Sequence, residues 1–167
     1  MSTFTYTVSS DVFADHPDYR RGVVVFHNLD NTRADAGLTA LLRAAEQSVR
    51  ERVVGNPADF PQIAAWRDAY RRFGAKPSEH RSAIEALTRR VLKPDSLPAI
   101  NPLVDIGNLL SLRYLLPAGV HPIGPQSRHI ELRKRLDSDR FLVEAGAEAE
   151  AIAPGEIVLA SGSRVLT

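Results

Sequence analysis

The sequence predicts an α+β protein in which short strands precede and follow a block of helices. Near the N-terminus, Phe4, Tyr6 and Val8 alternate with hydroxyl residues, as in a half-buried strand. The central part repeats apolar residues at three- and four-residue intervals between Gly and Pro breaks, as in amphipathic helices. After Pro117 come short apolar runs separated by Gly, Pro, Asp and Ser, which favour strands. This order indicates helices packed on a largely antiparallel sheet or sandwich.

The first two strands are predicted at residues 3–9 and 21–28. Residues 3–9 contain the alternating pattern, and a turn cluster around Pro17 follows. Residues 21–28 contain the unbroken apolar run from Val23 to Phe26, which is typical of a strand buried on both faces.

Four helices and five further strands are predicted from residue 38 onward. The first two helices span about residues 38–49 and 61–73. The third is capped by Ser78 and ends at Lys93-Pro94, and the fourth runs from Asn101-Pro102 to about residue 116. Asn is a strong N-cap, Pro suits the first helical turn, and Gly ends helices at 55 and 74. The strand candidates are residues 120–123, 129–136, 141–144, 156–160 and 164–166.

The composition excludes several classes of site. The chain has 167 residues and no cysteine, so it suits a single domain without disulfides or Cys-bound zinc. No histidine shows metal-ligand spacing, and neither a metal nor a cofactor is expected. There is no visible signal peptide and no apolar run long enough to span a membrane, so a cytoplasmic location is expected. The net charge is only +1, so an RNA partner must be sought in local patches.

A basic run between Arg67 and Lys93 is the first candidate binding feature. It contains eight Lys/Arg residues against three acids. Such a cluster can hold phosphates, since each neutralised phosphate releases counterions. The alternative is a solvated helix surface tied by pairs four residues apart, such as Glu85 with Arg89.

Three polar residues on the fourth predicted helix are the second feature. Asn101, Asp105 and Asn108 lie four and three residues apart, which puts them on one side of an otherwise apolar helix. They either anchor the preceding loop through its backbone or line a pocket. Gly107 suits both roles, because a glycine within a helix permits close approach. His121, after the turn at Pro117, resembles a surface or satisfied histidine more than a catalyst.

Five stretches of the sequence form a recognisable set, namely Arg72-Phe73-Gly74-Ala75-Lys76-Pro77-Ser78, Ile84 to Arg90, Leu97-Pro98-x-Ile100-Asn101-Pro102-Leu103-Val104-Asp105-x-x-Asn108, Ser111 to Gly119 and Pro154 to Val158. Together they resemble the B3/B4 domain of the β subunit of bacterial phenylalanyl-tRNA synthetase, and more closely the stand-alone proteins that carry it. The similarity is clear over about residues 60–167 and loose before that.

The resemblance implies a fold and an activity. The fold is an α+β domain with a β-sandwich of unusual topology and helices packed on it. The activity is hydrolysis of tyrosine wrongly esterified to phenylalanine tRNA, with Asn108 and Gly107 in the editing pocket. Where the synthetase has a histidine two residues beyond a proline, this chain has Pro117 and then Gly119, with His121 two residues further on. The synthetase also uses a glutamate from a later segment, and this chain ends at Thr167, being either naturally short or truncated.

The leading hypothesis is a stand-alone deacylase of mischarged tRNA. The alternatives are an RNA-binding module without the chemistry, and an amino-acid or small-molecule binder that reuses the pocket. The expected partner is tRNA or aminoacyl-tRNA, with no membrane, and a homo-oligomer is left open. The candidate residues are Asn108, Gly107 and His121 for catalysis; Asn101, Asp105, Pro117 and Gly119 for the pocket; and Arg71, Arg72, Lys76, Arg81, Arg89 and Arg90 for RNA.

Overall fold

The protein is represented by a computed structural model that describes residues 3–32, 35–124, 128–141 and 152–167. It divides into two compact units. The sheet unit consists of residues 1–24 and 121–167, and the helical unit consists of residues 25–120. None of the helices in these described ranges is long and apolar enough to cross a membrane.

The sheet unit contains one mixed five-stranded sheet and a short helix, α1 (Ser10–Asp15). The strands are β1 (Thr5–Val8), β2 (His129–Lys134), β3 (Arg140–Phe141), β4 (Ile157–Ser161) and β5 (Arg164–Val165). Their spatial order is β1-β2-β4-β5-β3. The β2–β4 and β4–β5 pairs are antiparallel, whereas β1–β2 and β3–β5 are parallel. The sheet is therefore mixed rather than largely antiparallel.

Strand β4 is apolar on both faces and forms the centre of the sheet unit. Leu159 packs in one cluster with Val12 of α1 and Ile130 of β2. Its neighbours Val158 and Ala160 belong to a separate buried cluster. Because successive strand residues point to opposite faces, the two clusters lie on opposite sides of β4.

The helical unit is built on the predicted apolar stripes. Its helices are α2 (Ala36–Arg52), a 3-10 turn (Pro57–Asp59), α3 (Pro61–Arg72), α4 (Ala83–Val91) and α5 (Pro102–Tyr114). One core joins all four α-helices, with Leu42, Ile63, Ile84 and Leu112 fully buried. The α+β class and the four central helices are thus confirmed.

Three local predictions need correction. Residues 21–28 and 120–123 contain no strand, and Val24 is 70% exposed. Helix α4 begins at Ala83, and its cap is the Ser82 hydroxyl instead of Ser78. The segment around Ser78 forms a turn instead, in which the amides of Glu79 and His80 donate to the Lys76 carbonyl. The described residues form one sheet, and the second layer of a β-sandwich is not among them. The predicted strand at 141–144 falls mostly outside the described residues.

Candidate functional site

The N-terminus of α5 is held by two of the predicted pocket residues. The Asn101 side chain accepts a hydrogen bond from the Val104 amide at 3.0 Å, as an N-cap. The Asp105 carboxylate is buried and accepts from the Ile100 amide at 3.1 Å. Both side chains therefore satisfy backbone donors that would otherwise be unpaired. This geometry supports the loop-anchoring alternative for Asn101 and Asp105.

A buried glutamate of α2 holds the same loop further upstream. The Glu46 carboxylate is fully buried and accepts from the Leu97 amide at 3.1 Å. Arg43, on the preceding turn, donates both to Glu46 and to the Leu97 carbonyl. The Leu-Pro-x-Ile-Asn-Pro stretch thus has its backbone fixed at several points by polar side chains.

Asn108 differs from the other two polar residues of α5. Its side chain is half-buried and makes no hydrogen bond with any described residue. It lines a groove between α4 and α5 with a volume of about 270 Å³. Ser111, one turn further along the same face, also lines this groove and is likewise without a hydrogen-bond partner among the described side chains.

The Asn108 groove has a mostly small and apolar wall with one cation. Arg90, near the end of α4, lines it and is exposed. The complete lining is Ala83, Ala86, Leu87, Arg90, Asn108, Ser111 and Ala118. The structure therefore brings together a predicted catalytic residue, Asn108, and a predicted RNA-binding residue, Arg90. A concavity that combines small apolar residues with a few convergent polar groups is a common form of small-ligand site.

The other predicted residues of this region lie outside the groove lining. A Cβ on Gly107 would sit 3.7 Å from Val120 Cγ2, an ordinary contact, so no close approach demands glycine there. Pro117 is half-buried and Gly119 is exposed, while Ala118 between them lines the groove.

His121 belongs to the sheet unit, whereas Asn108 belongs to the helical unit. The imidazole is half-buried. Burial, and to a lesser extent the charge of Arg21, lower the pKa of His121 below its ordinary value of 6.5. Both effects favour the neutral imidazole.

The basic run divides into paired and unpaired cations. Arg67 and Arg89 both bond the fully buried Glu85 carboxylate, at 2.8 Å and 3.0 Å. On the surface, Arg71 pairs with Asp68 and Lys76 with Glu79. The remaining exposed cations make no ion pair with a described acid, and they are Arg72, Arg81, Arg90 and Lys93.

The sequence did not single out Ser111 or the alanines of the groove. Ser111 could have been found by extending the polar pattern of α5 by three residues beyond Asn108. The alanines carry no such signal, because small residues within helices are common. Among the described residues, no group of three His, Asp or Glu side chains could hold a metal ion.

The sequence matches the B3/4 domain family over residues 65–167. This range contains α4, α5 and every residue of the Asn108 groove. Comparison with curated proteins gives no match, and comparison with solved structures gives none either.

Proposed function

Because the chain belongs to the B3/4 domain family, found in the β subunit of phenylalanyl-tRNA synthetase, we propose that it binds aminoacyl-tRNA and hydrolyses the ester of a mischarged amino acid. The observation that carries the proposal is the meeting of Asn108 and Arg90 in one groove, neither with a partner among the described side chains. Asn108 is half-buried and Arg90 is exposed, so the hydrogen-bond donors of both are open to a ligand.

The groove offers the groups that an ester at the end of an RNA strand requires. The Asn108 amide can donate to the oxygen on which negative charge develops as water attacks the carbonyl. The Arg90 guanidinium can hold the phosphate adjacent to the esterified ribose. The apolar wall around Leu87 can take the amino-acid side chain.

Hydrolysis in this groove would proceed with assistance from the substrate. Arg90 is the one ionisable side chain among the lining residues, and a guanidinium keeps its proton at neutral pH. We therefore assign proton transfer to the ribose hydroxyl beside the ester or to an ordered water near Ser111. The water oxygen bonds to the carbonyl carbon, the carbon–ribose oxygen bond breaks, and the ribose oxygen takes the proton.

The proposal is tested by release of tyrosine from mischarged phenylalanine tRNA. Asn108→Ala is expected to slow release by about 10²–10³-fold, as loss of one oxyanion donor does. Gln62→Ala removes an exposed amide from α3, outside the groove, and should leave the rate unchanged. Equal release by wild type and Asn108→Ala, or none by either, would reject the catalytic assignment.

A second candidate function is RNA binding without hydrolysis. It is favoured by the lack, among the described lining residues, of a side chain that accepts a proton at neutral pH. This function predicts binding of tRNA to the wild-type protein with ester release no faster than in buffer. A faster release that depends on Asn108 would exclude it.

A further inference from the structure

A second cavity of the helical unit lies between the last turns of α3 and the loop that follows. Its volume is about 420 Å³. Its lining consists of Arg67, Arg71, Gly74, Ala75, Lys76, Pro77 and Ser78. It shares no lining residue with the Asn108 groove, so it is a separate site.

The loop is shaped by the way α3 ends. Gly74 has a φ of +81°, a conformation that glycine adopts without strain. The Gly74 amide donates to the Arg71 carbonyl at 3.1 Å, and the Ala75 amide donates to the Tyr70 carbonyl at 3.0 Å. These two bonds are the Schellman arrangement, which turns the chain sharply away from the helix. The turn is what brings Lys76 and Ser78 to the same cavity as Arg67 and Arg71 of α3.

Arg67 is the most firmly positioned cation of the cavity. One terminal nitrogen, Nη1, bonds both oxygens of the buried Glu85 carboxylate, at 2.8 Å and 3.0 Å. Nη2 and Nε have no acceptor among the described residues. The ion pair therefore fixes the guanidinium plane and leaves donors on its other side, so little entropy is lost when an anion binds.

The other two cations are paired only at the surface. Arg71 bonds Asp68, and Lys76 lies 3.3 Å from Glu79. All four side chains of these two pairs are more than half exposed, and exposed pairs of this kind contribute little. A ligand anion can therefore displace either acid. The loop also contains the Ser78 hydroxyl and the Lys76 and Ser78 amides, none with an acceptor among the described residues.

We propose that this cavity binds a phosphate group of the RNA. Three cations, a hydroxyl and unpaired amides match the several acceptor oxygens of a phosphate, and such charge-assisted bonds are the strong ones. The phosphate site is inferred from the cavity itself. Only the assignment of that phosphate to RNA rests on the proposed function. The volume of about 420 Å³ exceeds what a phosphate alone fills, so there is room for an attached ribose.

The site is tested by titrating the 167-residue protein with inorganic phosphate and following its amide resonances by NMR. Saturable shifts are expected at Gly74, Ala75, Lys76 and Ser78. Arg71→Ala and Lys76→Ala should each weaken phosphate binding about tenfold. Arg113→Ala removes an exposed charge of α5 outside the cavity and should change the affinity less than about twofold, because such a charge is screened. Non-saturating shifts at many exposed cations, or an equal loss in Arg113→Ala, would overturn the site.

Removal of the acids that pair with Arg71 and Lys76 should strengthen phosphate binding, which is the opposite of the effect of removing the cations. Asp68→Asn and Glu79→Gln should each tighten phosphate binding by about two- to fivefold, the value of an exposed ion pair. The matched control is Asp59→Asn, which removes an exposed acid of the 3-10 turn. An equal gain in the control would mean that only net charge matters, and the cavity would then have no special role.

The carrier of the phosphate is identified by competition with short single-stranded RNA bearing either a 5′-phosphate or a 5′-hydroxyl. Displacement of free phosphate by both RNAs indicates a backbone phosphodiester, and displacement only by the phosphorylated RNA indicates a terminal phosphate. Failure of both RNAs to compete with saturably bound phosphate would overturn the RNA assignment. Loss of ester hydrolysis in Asn108→Ala bears on the groove alone and leaves this site untouched.

Discussion

At the scale of single residues, three similar side chains on one side of α5 have different roles. Asn101 and Asp105 accept hydrogen bonds from the Val104 and Ile100 amides. Asn108 lines the groove and has no such bond with the described residues. Its polar atoms are therefore the ones available to a ligand.

This division predicts that the Asp105 and Asn108 variants differ in stability. Asp105→Ala leaves the Ile100 amide without its acceptor and should lower the free energy of unfolding by about 1–3 kcal/mol. Asn108→Ala breaks no intramolecular hydrogen bond and should change it by less than about 0.5 kcal/mol. Urea unfolding of the wild-type protein and the two variants measures both changes in the free energy of unfolding. An Asn108→Ala variant as unstable as Asp105→Ala would show that Asn108 has a structural role.

At the scale of elements, the buried Glu85 carboxylate joins α3 to α4. It is bonded by Arg67 from α3 and by Arg89 from its own helix. Arg89 also donates to the Asn56 side chain at 3.0 Å, just before the 3-10 turn. Both arginines therefore contribute to packing, and Arg89, whose Nε and Nη2 bond Glu85 and Asn56, is a poor candidate for RNA contact. Arg67 uses only Nη1 for Glu85 and keeps its other donors for the cavity that it lines.

Removal of Glu85 should destabilise the helical unit strongly. Glu85→Ala leaves two partly buried guanidinium groups without their shared acid and should cost about 3–5 kcal/mol in the free energy of unfolding. Glu79→Ala breaks only the exposed pair with Lys76 and should cost less than about 1 kcal/mol. Glu85→Gln, which keeps the hydrogen-bond acceptor, should lie between them. Urea unfolding that ranks Glu79→Ala as the more damaging change would contradict this view.

At the scale of the whole molecule, charge is distributed unevenly although the net charge is only +1. The acids between residues 67 and 93 are each bonded to cations of the same run. What remains is a set of exposed cations without an acid partner among the described residues, namely Arg72, Arg81, Arg90 and Lys93. Outside the cavity lined by Arg67, Arg71 and Lys76, this local excess, rather than the net charge, is what an RNA backbone would meet.

The salt dependence of tRNA binding should reflect these unpaired cations. Replacing any one of Arg72, Arg81 or Lys93 by Ala is expected to flatten the slope of log K against log salt by about 0.7–1. Arg113→Ala removes an exposed arginine of α5 outside the run and should leave the slope unchanged. Slopes are measured by fluorescence anisotropy over a salt series. A slope that falls as much in Arg113→Ala as in the others would disprove a localised basic surface.

The wrong sequence predictions concern segments whose structure depends on hydrogen bonds with residues outside the segment. The apolar run from Val23 to Phe26 satisfies the pattern of a buried strand, yet a strand forms only when another strand accepts its hydrogen bonds. In the described structure no strand pairs with it. Ser78 and Ser82 are equally good caps by type, and the choice was made by the turn at Lys76.

The sequence by itself determined the α+β class, the four central helices and the side of α5 on which the polar residues lie. These features depend on the periodicity of apolar residues and on local caps such as Asn101, which act within a few residues. Only the tertiary structure decided which polar side chains remain available and which cations of the basic run are neutralised. The reason is that their partners are distant in the chain, as in the bond from the Leu97 amide to Glu46 and the pair of Arg67 with Glu85.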